Sequence, residues 1–124
     1  GCTDLFPATQ ARTLSGPVLD ITGIPGLRGI SRDEGAVRIG ATTSRTDVIR
    51  ADLPPAFDML KQAAREVGSV QIQNSGTVAG NICNASPAAD GMPCLMALDA
   101  QVELASATGT RTLPLSHFVN GPRQ

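Results

Sequence analysis

Apolar positions recur along this chain with two different periods. Val37, Ile39 and Ala41 alternate with Arg38 and Gly40, which predicts a half-buried strand. The strand runs into Thr42-Thr43-Ser44, where Ser44-x-x-Asp47 forms a variant of the capping box and predicts a short helix through about Arg50. After Pro54-Pro55 the period changes. Phe57, Leu60, Ala63, Ala64 and Val67 share one helical face, Lys61, Gln62, Arg65 and Glu66 face water, and Gly68 ends the helix. Val70 and Ile72 alternate with polar residues, a strand-like pattern. Val18–Ile21 predicts a short apolar strand, and Ile24–Ile30 a loop or single helical turn. Ala88–Leu98 predicts a helix carrying Leu95, Met96 and Leu98, with Gly91 and Pro93 interrupting its first turn. Val102 and Leu104 predict one strand of a hairpin, Ala107-Thr108-Gly109 its turn, and Thr112–Leu115 the return strand, followed by a polar tail. Strands and helices mix without a regular βαβ repeat, so the predicted class is α+β.

Asn74–Asp90, N-S-G-T-V-A-G-N-I-C-N-A-S-P-A-A-D, breaks both periods. Gly76 and Gly80 permit close backbone approach, and Thr77, Asn81, Asn84 and Ser86 offer hydrogen bonds without bulk. Ser86-Pro87 has the form of an N-cap followed by a first helical residue. The pattern alone fits either a structural turn or an anion-binding loop beside a helix start.

Composition narrows the function classes. The 124 residues suit one domain with a real core. A net charge of −1 gives no bulk attraction to nucleic acid or an anionic membrane. With three Phe and neither Trp nor Tyr, a base-stacking surface is not expected. No apolar run is long enough to span a bilayer. Cys2, Cys83 and Cys94 are widely spaced and form no C-x-x-C pair, which predicts free thiols in a reducing compartment and no zinc or iron–sulfur site in this chain.

The usual catalytic constellations are absent. His117 is the only histidine, follows a predicted strand, and reads as an exposed or capping imidazole; no G-x-S-x-G surrounds any serine. Asp99 and Glu103 straddle a helix-to-strand turn and read as solvated charges. Neither a P-loop nor a dinucleotide-binding G-x-G-x-x-G is present. Two small-residue loops remain, Gly1–Leu5 and Gly76–Asn81, and neither contains Lys or Arg. Such loops would hold a diphosphate through backbone N–H groups, with Asp90 free to accept from a sugar or polyol hydroxyl. A dinucleotide in extended form is the expected ligand.

T-V-A-G-N-I-C-N-A-S-P-A-A-D, followed by P-C-L-M-A-L-D-A-Q-V-E-L, resembles the flavin-binding domain of the molybdenum hydroxylases, the family of xanthine dehydrogenase and of the medium subunit of carbon monoxide dehydrogenase. The opening G-C-T-D-L-F-P resembles that family's G-G-T-D-L-x-P signature, and I-G-A-T-T-S-R-T-D-V its strand-to-helix junction, so the resemblance covers nearly the whole chain. It implies the FAD-binding fold of the vanillyl-alcohol oxidase (PCMH) type. Residues 1–124 would be a truncated larger subdomain, without the small N-terminal subdomain and the C-terminal domain.

The resemblance implies FAD contacts, mainly by backbone, from Gly1, Cys2, Thr3, Asp4 and Leu5 and from Thr77, Val78, Ala79, Gly80 and Asn81, with an acidic contact at Asp90. Val67 aligns with a further position able to touch the cofactor. No catalytic acid or base and no metal ligand is implied. The parent would be a cytoplasmic oxidoreductase. An iron–sulfur subunit with [2Fe–2S] centres and a molybdopterin subunit would be its partners, and electrons would pass through FAD to NAD or another acceptor. Three departures stand out: Cys2 and Ala79 replace one glycine of each family pair, and Gln73 stands where arginine is common. A replaced glycine with positive φ would be strained. Two other readings are a flavin-free interaction module bridging the other subunits and a different enzyme on the same fold, such as a UDP-sugar reductase.

Overall fold

The computed structural model describes residues 1–122; Arg123 and Gln124, the end of the predicted polar tail, lie outside them. In chain order the elements are α1 (Leu5–Ala8), β1 (Ile30–Asp33), β2 (Ala36–Ile39), α2 (Arg45–Arg50), α3 (Asp58–Glu66), α4 (Val70–Ser75), α5 (Val78–Asn84), α6 (Gly91–Ala97), β3 (Gln101–Ser106), β4 (Gly109–Pro114) and α7 (Leu115–Phe118). Single 3₁₀ turns occupy Ile21–Gly23 and Pro55–Phe57. The strands form two separate antiparallel hairpins, β1–β2 and β3–β4, around a middle run of short helices. That mixed content is the expected α+β architecture.

The core is where the helical period predicted it. Leu60 and Ala64 of α3 are buried, and Phe57 and Ala63 pack beside them. They meet Val48 of α2, Leu53, Cys94 and Leu95 of α6, and Leu115. Val48 and Leu115 are each 1% exposed, and burying such side chains contributes about 1.5–3 kcal/mol apiece. The predicted β3–β4 hairpin is present with shifted bounds: the turn is Ala107-Thr108, Gly109 already pairs with Ser106 in β4, and Leu115 opens α7 instead of ending the strand. On the surface, Arg38 of β2 donates through both Nη atoms to Glu103 of β3, at 2.9 and 2.7 Å. Glu103 is thus paired with an arginine and not with Asp99.

The capping box at α2 is present as expected. Ser44 Oγ accepts from Asp47 N at 3.1 Å, and Asp47 Oδ2 accepts from Ser44 N at 3.0 Å. Gly68 follows α3 with φ +58, the left-handed stop that glycine tolerates.

Four expectations fail. Val18–Ile21 is not a strand: Val18 is 64% and Leu19 82% exposed, so the segment has no partner to pair or pack against. Ile30 is not the end of a loop but the first residue of β1, and Glu34-Gly35, both with positive φ, make the two-residue turn into β2. The alternation at Val70 and Ile72 belongs to a helix, α4. Ser69 Oγ caps it by accepting from Ile72 N, and over so few residues the cap outweighs the period.

The fourth failure lies in Asn74–Asp90. Gly76–Asn81 is not a loop throughout. Thr77 is an N-cap whose Oγ1 accepts from Gly80 N at 3.0 Å, so Val78, Ala79, Gly80 and Asn81 all lie on α5. Nor is Ser86-Pro87 a helix start. Ser86 closes a turn by accepting from Ala88 N at its hydroxyl and Ala89 N at its carbonyl. The next helix begins at Gly91. Pro93 sits in its first turn, where a missing N–H costs nothing, so Gly91 and Pro93 form that turn instead of interrupting it.

Candidate functional site

Two helix starts are laced together at the centre of the molecule. Val78 N donates to Thr43 O at 3.0 Å and Arg45 N to Gly76 O at 3.1 Å, which sets the N-caps Ser44 and Thr77 opposite each other in an isolated antiparallel bridge. Thr43, Ser44 and Arg45 are buried at this junction, at 0%, 4% and 7% exposure. The N-terminal segment lies against the same place. A Cβ on Gly1 would fall 2.0 Å from Ser75 O, so only glycine allows that approach. A Cβ on Gly76 would meet Ile72 O at 3.0 Å, Arg45 Nε at 3.6 Å and Thr3 Oγ1 at 3.7 Å.

Beside this junction is a cleft of about 720 Å³, within the usual range for small-molecule sites of roughly 300–1,000 Å³. Nine of the eleven predicted contact residues line it: Gly1, Cys2, Thr3, Asp4 and Leu5 on one side, Thr77, Gly80 and Asn81 of the α5 turn on another, and Asp90. The segments meet although they lie more than seventy residues apart in sequence. Val67 also reaches the cleft. Val78 and Ala79 do not line it; Val78 packs against the core instead. Gln73 is half-buried and donates to Arg65 O at 2.8 Å, tying α4 to the end of α3.

The two glycine replacements have different consequences. Cys2 has φ +58, a left-handed conformation that glycine would adopt freely. Ala79 has no such φ, because it sits inside α5, where alanine is at ease.

Two backbone donors and two carboxylates of the cleft have no partner among the described residues. The N–H groups of Thr3 and Asp4 donate to no acceptor among the described residues. Asp4 and Asp90 occupy the N-cap positions of α1 and α6, yet neither carboxylate caps its helix. Both remain exposed and available. No group of His, Cys, Asp and Glu suited to a metal ion occurs among the described residues, and none of their helices is long and apolar enough to cross a membrane.

Arg45 is a lining residue that sequence reasoning missed. Burial pushes its guanidinium below the usual arginine range, while Asp90 and then Asp4 act in the opposite sense. One sequence signal was available. A cation in the first turn of a helix is electrostatically misplaced, which marks a side chain held there for another reason.

The chain is similar to known proteins. Residues 1–124 match the family model described as the FAD binding domain in molybdopterin dehydrogenase. The glyceraldehyde dehydrogenase medium chain of Sulfolobus acidocaldarius is 35% identical over 98% of this chain and 44% of that protein. The carbon monoxide dehydrogenase medium chain of Hydrogenophaga pseudoflava is 34% identical over 84% of this chain and 37% of its own length. A solved structure of the carbon monoxide dehydrogenase from that organism superimposes with a TM-score of 0.75 at 33% identity, covering 85% of this chain and 37% of that one. This chain thus spans less than half the length of these relatives. With the family model matching its whole length, the chain belongs to the family of FAD-binding domains in molybdopterin dehydrogenases.

Proposed function

We propose that this chain is the FAD-holding part of a molybdenum hydroxylase flavoprotein, built on the larger subdomain of a PCMH-type fold. The observation that carries this reading is the meeting of Gly1–Leu5, the Thr77–Asn81 turn and Asp90 in one cleft. The cleft fits the cofactor on two counts. Gly1 packs directly onto the Ser75–Gly76 backbone, which holds the Gly1–Leu5 segment against the start of α5 at the edge of the cleft. The free N–H groups of Thr3 and Asp4 are neutral donors suited to diphosphate oxygens.

Each segment has a distinct task. The Thr3 and Asp4 N–H groups hold the diphosphate; Gly80 N and Asn81 N already donate to Thr77, so the start of α5 contributes close approach at Gly80 and the Asn81 side chain, and Asp90 accepts from a ribose or ribityl hydroxyl. Bound FAD supplies a relay for reducing equivalents between the iron–sulfur centres of a partner subunit and NAD or another acceptor, the molybdopterin subunit oxidising the substrate. The chain contributes binding and orientation, and no residue of it serves as acid or base.

The test is the visible spectrum of the purified, intact protein. A flavin band near-stoichiometric with protein supports the reading. Colourless protein that takes up no added FAD sinks it and favours a flavin-free module that bridges other subunits.

A further inference from the structure

Arg45 stands apart from the other arginines. It is 7% exposed, whereas the guanidinium groups of the ion pairs Arg28–Asp47 and Arg38–Glu103 belong to side chains 64% and 66% exposed. Among the described residues its side chain makes neither a hydrogen bond nor an ion pair. A buried, unpaired charge is costly and calls for a counter-charge. The local backbone supplies none, because Arg45 opens α2, where the peptide dipoles already favour anions. Its Nε lies beside the position a Gly76 Cβ would take, and the residue lines the cleft from beneath the glycine crossing. Asp4 and Asp90 face it from the two walls, both exposed and both beyond ion-pair reach.

We propose that Arg45 receives the diphosphate of the dinucleotide, as the one cationic side chain among the described residues that line the cleft, beside the neutral N–H groups of Thr3 and Asp4. The proposal rests on the FAD-binding reading above and deepens it. A guanidinium that burial has already partly stripped of water loses less hydration when phosphate oxygens arrive, and its fork matches two of them at once. The rim carboxylates keep their water and remain acceptors for hydroxyls. The rival role for Arg45 is purely structural, as an internal counter-charge that holds the Asp4 and Asp90 walls in place.

The experiment is calorimetric titration of the intact protein, stripped of flavin, with ADP and with adenosine. ADP carries the diphosphate without the flavin, and adenosine carries neither. Arg45→Gln should weaken ADP binding by roughly tenfold or more. It should leave adenosine within about twofold and flatten the dependence of ADP affinity on salt. Arg45→Lys, which keeps the charge without the fork, should recover part of the loss. Equal losses for ADP and adenosine would assign Arg45 the structural role and overturn the proposal, as would an unchanged ADP affinity. If Arg45→Gln loses its circular dichroism spectrum, the wild type decides. Its preference for ADP over adenosine must shrink as salt rises, and a salt-independent preference overturns the proposal. Wild-type protein that takes up FAD while Arg45→Gln binds ADP normally refutes only the role of Arg45. Wild-type protein that takes up no FAD refutes the FAD-binding reading itself.

Discussion

Ser44 and Thr77 cap two different helices and face each other across an antiparallel bridge. That pairing brings the start of α2 against the start of α5 and carries Arg45 into the cleft. Ser44→Ala removes one half of the capping box and should cost about 1 kcal/mol of stability. Urea unfolding measures it; a midpoint unchanged from wild type contradicts the role of the cap.

Asp47 links the same cap to Arg28, whose Nε and Nη2 donate to its carboxylate at 2.9 Å each. The Arg28 hydrogen bond is the largest cause that lowers the Asp47 pKa to about 2. An unfolded aspartate titrates near ~3.9. Because the folded value is the lower one, the stabilisation is complete above the unfolded value and is lost as pH falls through about 2. Unfolding measured between those two values should therefore reveal a decline in stability that Arg28→Met reduces. A pH slope identical in the variant would show that Arg28 is not its source.

Cys2 keeps a left-handed φ of +58 with a side chain attached. Cys2→Gly should relieve strain of about 1 kcal/mol and raise the thermal midpoint, while Cys2→Val should lower it. A Cys2→Gly variant less stable than wild type would mean that contacts of the thiol outweigh the backbone cost.

The two cleft glycines should respond differently to a side chain. Gly1→Ala places a methyl group 2.0 Å from Ser75 O, a backbone atom, and must push the N-terminal segment away. Flavin retention should fall sharply while the core, centred on Val48 and Leu115, stays folded. Gly80→Val crowds Thr77 Oγ1, which a Cβ would approach to 2.6 Å, and also projects into the cleft. It should abolish flavin retention and loosen α5 slightly. Full flavin occupancy in both variants would remove this crossing from the binding surface.

Much of the fold was legible because its signals are local. The face of α3, the capping box of α2 and the β3–β4 turn each depend on residues within one or two turns of each other. The cleft was legible for a different reason: the small residues at Gly1 and in the Gly76–Asn81 stretch fit neither period of the sequence around them, so their presence needed another explanation. Arg45 was not legible in the same way. It packs against Gly76, over thirty residues away, and the one signal in S-R-T-D, a cation in the first turn of a helix, does not say that the arginine points inward. The strand expected at Val18–Ile21 failed for the converse reason, since a strand needs a partner and neither hairpin pairs with this segment.

Hydrogen–deuterium exchange of the intact protein, with and without FAD, tests the central claim most directly. FAD should slow exchange in peptides covering Cys2–Ala8 and Gly76–Gly91 and leave the β3–β4 hairpin, Gln101–Pro114, unchanged. Protection confined to that hairpin, or absent from the cleft while FAD remains bound, would contradict the assignment of the cleft as the flavin site.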